Sequence, residues 1–284
     1  MATKYRSIGT ESNNACAMGQ RVYLPCWIRW ERMMAGKHAE WWSANDPTGR
    51  SVREFRLARD GSERPVTGAL WSSAGRADSS SPLVLFGHGA SGDRYQSPIC
   101  HLARRLARSG CAALAIDGPV HGLRQVGPGG RAALGDEMRR ETFVDDMVED
   151  WLWALAAARE HVRVADVAYF GLSMGSIFGI PTLAKVPDAK AAVLGLLGTT
   201  GAGRPFAERV LADAAAIRCP VLFLMQLEDE LFPRDGCLEL FDALAGEDKR
   251  MHANPGLHPE VPGEEIDFSF EFLSTHLGTT EDRR

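Results

Sequence analysis

Five short runs made almost wholly of apolar residues limit what this chain can build: Leu83–Phe86 (LVLF), Ala112–Ile116 (AALAI), Val167–Phe170 (VAYF), Ala191–Leu197 (AAVLGLL) and Val221–Met225 (VLFLM). A strand with one face in water alternates apolar and polar side chains. A run apolar on both faces instead suits a parallel strand covered by helices on each side. Helical patterns fall between the runs. Ser97 is placed to cap a helix with Pro98 at its first position, Ile99, Leu102 and Leu106 on one face, and Gly110 at its end. Glu141–His161 carries Phe143, Val144, Met147, Val148, Trp151, Leu152 and Leu155 on a helical stripe. The alternation predicts an α/β fold with a doubly wound, mostly parallel sheet and right-handed crossovers.

Upstream the pattern changes. Ser51–Ala58 and Val66–Ser72 alternate around an Asp60-Gly61 turn and read as an antiparallel hairpin. The expected organisation is a single domain over 51–284, preceded by an extension over 1–50 that packs on the core or is partly disordered. That extension and its flank hold four of the seven tryptophans, Trp27, Trp30, Trp41 and Trp42, within sixteen positions. Their expected place is over the site entrance, at a homodimer contact, or on the body away from any site.

Composition excludes several functions. The chain has 284 residues, 45% hydrophobic and 24% charged, with a formal net charge of -5 and no long basic run. Nucleic acid is therefore not an expected partner. No apolar stretch approaches the roughly 18 residues that span a bilayer. The opening MATKYRSIGTESNNACAMGQ is too polar for the apolar core of a secretory signal, so a soluble, cytoplasmic protein is expected, with no membrane partner. The six cysteines lack C-x-x-C spacing and read as small buried hydrophobes, a Cys16–Cys26 bridge having nothing in its favour.

Doubly wound sheets carry their sites at the carboxyl ends of the strands. Here those ends hold Gly-His-Gly-Ala (87–90), Asp-Gly-Pro (117–119), Gly-Leu-Ser-Met-Gly (171–175) and Glu-Asp-Glu (228–230). The third is a G-x-S-x-G between a strand and the helical segment Ser176–Leu183. A serine on so sharp a turn leaves no room for side chains two positions away, and glycines at 171 and 175 meet that need. The helix start behind Ser173 offers free N–H groups to a developing oxyanion. A serine hydroxyl needs a base, and in this architecture an acid and then a histidine follow it in the chain. Glu228, Asp229 and Glu230 compete for the first role; His258, in a loop bounded by glycine and prolines, is preferred to His252 and His276 for the second. The spacings of 56 residues from Ser173 to Asp229 and 29 from there to His258 each hold one crossover. Oxyanion donors are expected at the N–H of Met174 and, beyond the Gly87-His88-Gly89 turn, of Ala90. The His88 side chain, Asp117 and His121 read as backbone-shaping residues. Asp145-Asp146 and Glu149-Asp150 read as a solvated helix face.

LVLFGHGASGD, ALAIDGPVHG, VAYFGLSMGS, PVLFLMQLEDELFP and PGLHPE, over roughly residues 82–260, resemble the α/β-hydrolase superfamily, and within it the dienelactone-hydrolase-like esterases. The resemblance implies a Ser173–Asp229–His258 triad, so selecting Asp229 among the three acids. It further implies oxyanion donors at Met174 and Ala90, and hydrolysis of a small-molecule carboxylic ester with no metal or cofactor. Two features depart from it. Dienelactone hydrolases proper carry cysteine where Ser173 stands, and Gln226-Leu227 replaces the usual His-Gly. Once flanking positions are discounted, only about eighteen residues (Gly201–Arg218) separate the runs at 191–197 and 221–225, too few for a large cap domain, so an open site for short-chain or accessible esters is expected, with 122–138 supplying a wall. Thioester, amide or polyester hydrolysis by the same triad is the alternative chemistry. A catalytically silent ligand-binding protein on this fold is the alternative class.

Overall fold

The computed structural model describes residues 37–61, 63–72 and 80–279. All lie in the second of the two units into which the chain divides, Lys37–Arg284. Trp27, Trp30, Cys16 and Cys26 fall outside the described residues.

One nine-stranded sheet organises this unit: β1 (Lys37–Asn45), β2 (Ser51–Arg59), β3 (Val66–Trp71), β4 (Ser81–Gly87), β5 (Ala112–Ile116), β6 (Val164–Gly171), β7 (Ala191–Gly195), β8 (Val221–Gln226) and β9 (Lys249–Asn254). The spatial order is β1-β2-β3-β5-β4-β6-β7-β8-β9. β1, β2, β3 and β5 pair antiparallel. From β5 across to β9 every pairing is parallel. The expected antiparallel N-terminal hairpin is β2–β3. β1 extends it by an edge strand that the sequence pattern does not signal.

Seven α-helices occur among the described residues: α1 (Ile99–Arg108), α2 (Gly130–Glu137), α3 (Phe143–Ala158), α4 (Met174–Ala184), α5 (Ala207–Ala214), α6 (Arg234–Ala243) and α7 (Gly263–His276). They cover both faces, which is why the central strands are apolar on both. Val84, Phe86, Ala113, Ala115, Ala168, Phe170, Val193 and Leu224 form one cluster with Leu102 and Leu106 of α1 and Phe270 and Leu273 of α7. The two-residue strand period sends Leu83, Leu85, Tyr169 and Phe223 to the opposite face. There Trp151 of α3 meets Tyr169 edge-on at 5.7 Å. Between β7 and β8 the chain has only a 3-10 turn (Gly201–Phe206) and the eight-residue α5, so no large cap is present.

Two local expectations need correction, and a third is narrowed. Ser97 does not cap α1: Pro98 occupies the cap position, and the Ile99 N–H bonds the Gln96 carbonyl at 2.7 Å instead of a serine hydroxyl. The acidic pairs of α3 are not merely solvated. Asp150 pairs with Arg124 at 2.8 Å, Asp146 pairs with Arg64 and Arg140, and Glu149 lies 3.6 Å from Arg59. Burial raises the Asp150 carboxyl despite its arginine partners. Trp41 packs on Phe55 and His161, and Trp42 donates to Glu54, so both dock along the edge of the sheet, apart from the cavity described below.

Candidate active site

Ser173 stands between β6 and α4 with φ 57° and ψ −121°, a left-handed backbone that costs energy for any residue with a Cβ. The neighbouring glycines make it attainable. A Cβ on Gly175 would lie 2.4 Å from the Gly87 carbonyl oxygen, and one on Gly171 would lie 2.9 Å from the Gly175 oxygen. The turn is then tied to β7: the Ser173 N–H donates to the Gly195 carbonyl at 3.0 Å. Ser176, fully buried, fastens the same joint. Its Oγ lies 2.7 Å from the Gly171 carbonyl and 2.8 Å from the Gly195 carbonyl, and accepts the Gly195 N–H at 2.9 Å. Sequence reasoning missed Ser176. A serine one turn into an apolar helix, with no charge to mark it, carries no signal of its own.

Asp229 follows β8 and His258 follows β9, so adjacent parallel strands deliver both to the rim where Ser173 sits. His258 Nε2 lies 2.9 Å from Ser173 Oγ, and its Nδ1 lies 2.8 Å from Asp229 Oδ2. The other carboxylate oxygen, Oδ1, accepts the N–H groups of Leu231 at 2.8 Å and Phe232 at 2.9 Å. Burial pushes the Asp229 carboxyl up. The hydrogen bonds from His258, Phe232 and Leu231 outweigh burial and hold it below the ordinary carboxylate range. A buried anion at Nδ1 demands that this nitrogen bear the proton, which leaves Nε2 free to accept one from Ser173. The ring of Phe232 flanks the imidazole at 5.4 Å. Glu228 and Glu230 do not bond the ring nitrogens; they take main-chain N–H groups of the histidine loop. His252 pairs with Glu265, and His276 with Asp248 at 3.8 Å; neither joins the site.

Met174 opens α4, so its N–H belongs to the first turn, where no intrahelical acceptor exists. Met174 and Ala90 both line the cavity beside Ser173. Two histidines hold the Ala90 segment. His88 Nε2 accepts the Gly118 N–H at 2.7 Å, so a neutral ring carries its proton on Nδ1, 2.8 Å from the Gly89 carbonyl. A peptide group is planar and trans, so fixing the Gly89 carbonyl also fixes the opposed N–H of Ala90. His121 Nε2 lies 2.9 Å from the Ala90 carbonyl. Asp117 is fully buried and binds Arg94 Nη1 at 2.9 Å, the Arg94 N–H at 3.1 Å and Thr67 Oγ1 at 2.6 Å, bracing the base of the loop.

The cavity over Ser173 has a volume of about 660 Å³. Its apolar lining includes Leu134 and Met138 from α2 and its end, Phe143, Phe206 and Phe232, together with Ile99 and Val261. The 122–138 segment therefore supplies a wall in place of a cap. Among the described residues, no group of three or more His, Cys, Asp or Glu side chains is placed to hold a metal ion. Cys100, Cys111, Cys219 and Cys237 are free, and burial pushes each thiol up, away from reactivity at neutral pH. No helix among these residues is long and apolar enough to cross a membrane.

A parallel sheet with its site at a serine on a strained strand-to-helix turn defines an α/β-hydrolase fold. Residues 72–257 match the dienelactone hydrolase family, and the chain belongs to that family of esterase-like hydrolases. It is similar to a cold-adapted esterase from an Arctic intertidal metagenomic library, in a PEG-bound complex, at 30% identity and a TM-score of 0.68, over 84% of this chain and 99% of that one. The acetyl xylan esterase from Paenibacillus sp. R4 has 19% identity and a TM-score of 0.64, with 87% and 93% covered. Est1E from Butyrivibrio proteoclasticus has 16% identity and a TM-score of 0.59, with 79% and 99% covered. At these last two identities the likeness is one of fold. No curated protein sequence matches the chain.

Proposed function

We propose that the protein is a serine carboxylic-ester hydrolase working through an acyl-serine intermediate. The observation that carries the reading is the continuous chain from Ser173 Oγ through the His258 imidazole to Asp229, with links of 2.9 and 2.8 Å, at the floor of an apolar cavity. In this reading His258 Nε2 takes the serine proton as Oγ attacks the ester carbonyl. The N–H groups of Met174 and Ala90 receive the oxyanion. The imidazolium, steadied by Asp229, then protonates the departing alkoxide, leaving the acyl group on Ser173. A water molecule, deprotonated by the same nitrogen, releases the acid by the reverse sequence. None of these steps requires a cofactor.

The walls support a small substrate. A cavity of about 660 Å³ lies within the range of small-molecule sites, and its apolar flanks suit the acyl and alkyl parts of a short, accessible ester. The test is turnover of p-nitrophenyl acyl esters by Ser173→Ala. The variant should fold as the wild type and lose at least about 10³-fold in kcat. Turnover near the wild-type rate would refute the reading.

A further inference from the structure

The loop that presents His258 is held in a way that catalysis by a triad alone does not require. Three successive main-chain N–H groups each end on a different carboxylate. Gly256 donates to Glu228 at 2.5 Å, Leu257 to Glu260 at 2.7 Å and His258 to Glu230 at 2.9 Å. Gln226, fully buried at the end of β8, closes the loop from below. Its Nε2 donates to the Glu260 carbonyl at 2.8 Å and to the Pro255 carbonyl at 3.3 Å. This is the residue that replaces the family's usual histidine, and here it serves as a strut. Gly256, at φ 118°, permits the tight path: a Cβ there would lie 2.8 Å from Glu260 Oε2. The acid loop and the histidine loop are also joined through main chain, the Glu228 N–H donating to the Gly256 carbonyl at 3.2 Å.

Neutral carbonyls could satisfy three N–H groups without cost. Carboxylates gathered beside Asp229 repel one another, so their presence has to be offset by something gained. The loop they hold carries the imidazole, which becomes positive when it takes the Ser173 proton. We infer that Glu230, backed by Glu228 and Glu260, is a positioning residue for His258: it fixes the main chain so that Nε2 stays on Ser173, and its charge favours the imidazolium that forms during turnover. The inference rests on the serine-hydrolase reading. The groups facing His258 are Asp229 at Nδ1, Ser173 at Nε2, Phe232 at the ring face and Glu230 at the main chain; Arg131 on α2 is the cation lining the same cavity. Glu230 itself is held below its ordinary value chiefly by the His258 N–H, consistent with a carboxylate that stays charged.

The test separates the hydrogen bond from the charge. Glu230→Ala removes both, whereas Glu230→Gln keeps an acceptor and removes only the charge. For a p-nitrophenyl acyl ester, Glu230→Ala should lower kcat at least about 10-fold with KM within about twofold, because misplacing a base by a fraction of an ångström is costly. Glu230→Gln should recover most of kcat. In Glu230→Gln the acid limb of the pH profile should move to lower pH at low ionic strength, and by less in high salt, since this carboxylate is exposed and screened. Glu264→Gln, an exposed change on α7, controls for loss of a surface charge. A wild-type kcat in Glu230→Ala, a loss confined to KM, or equal losses in both variants with an unmoved acid limb overturns the inference. An active Ser173→Ala defeats the underlying reading; a dead Ser173→Ala beside an unaffected Glu230→Ala defeats only this one.

Discussion

Asp229 and His88 are both held below their ordinary pKa, and the same direction leaves the first charged and the second neutral. Asp229 stays ionised because donors surround it. His88 stays neutral because burial, first of all, drives its imidazole down to about 4. The consequence for stability can be worked out. In the unfolded chain His88 takes a proton near pH 6.5. In the fold it resists until about 4, so between those values the unfolded state binds more protons. Its contribution to stability is full above about pH 6.5 and is lost as pH falls through that window. Asp229 adds a loss of the same sign at lower pH, below its unfolded value. Urea midpoints from pH 7 to 4.5 should fall more steeply in the wild type than in His88→Gln; parallel curves would contradict this account of the buried histidine. His88 was legible as backbone support from its place after a strand. Its partners were not, because Gly118 and Gly89 reach it through main-chain atoms that sequence does not distinguish.

The joint of β6, α4 and β7 shows what an element contributes beyond its residues. The apolar run at 191–197 ends as a strand at Gly195, where φ is 140°, and Leu196 follows at φ 48°. The bend presents the Gly195 carbonyl to both Ser173 and Ser176. Periodicity gave the strands and helices because burial on both faces writes itself into composition. It did not give this bend, since Gly195-Leu196 continues the apolar run without a break. Removing the Ser176 hydroxyl strands the buried Gly195 N–H, at a cost of about 1–3 kcal/mol. Ser176→Ala should therefore unfold at lower urea and also lose turnover as the Ser173 turn loosens. Unchanged stability and kinetics would mean that the hydroxyl is not a fastening.

For the molecule as a whole, the fold class and the placing of Ser173 and His258 in it followed from ordered motifs at strand ends, whereas Asp229 stood out from Glu228 and Glu230 only through the family resemblance. Neighbouring parallel strands bring residues 56 and 29 positions apart to a common rim. The edge strand β1 escaped notice for a physical reason. Its sequence KHAEWWSAN leaves most of its side chains exposed or half-buried, so no alternation marks it. The same blindness covered Glu228 and Glu230, whose partners are main-chain groups of a distant loop. On the proposed reading, these long-range placements make Ser173 a nucleophile activated by His258. Reaction with a fluorophosphonate, followed by peptide mass mapping, tests it most directly. A single adduct on Ser173, formed at least about 10²-fold more slowly in His258→Ala, is the predicted result. No adduct, an adduct elsewhere, or labelling indifferent to the loss of His258 would contradict it.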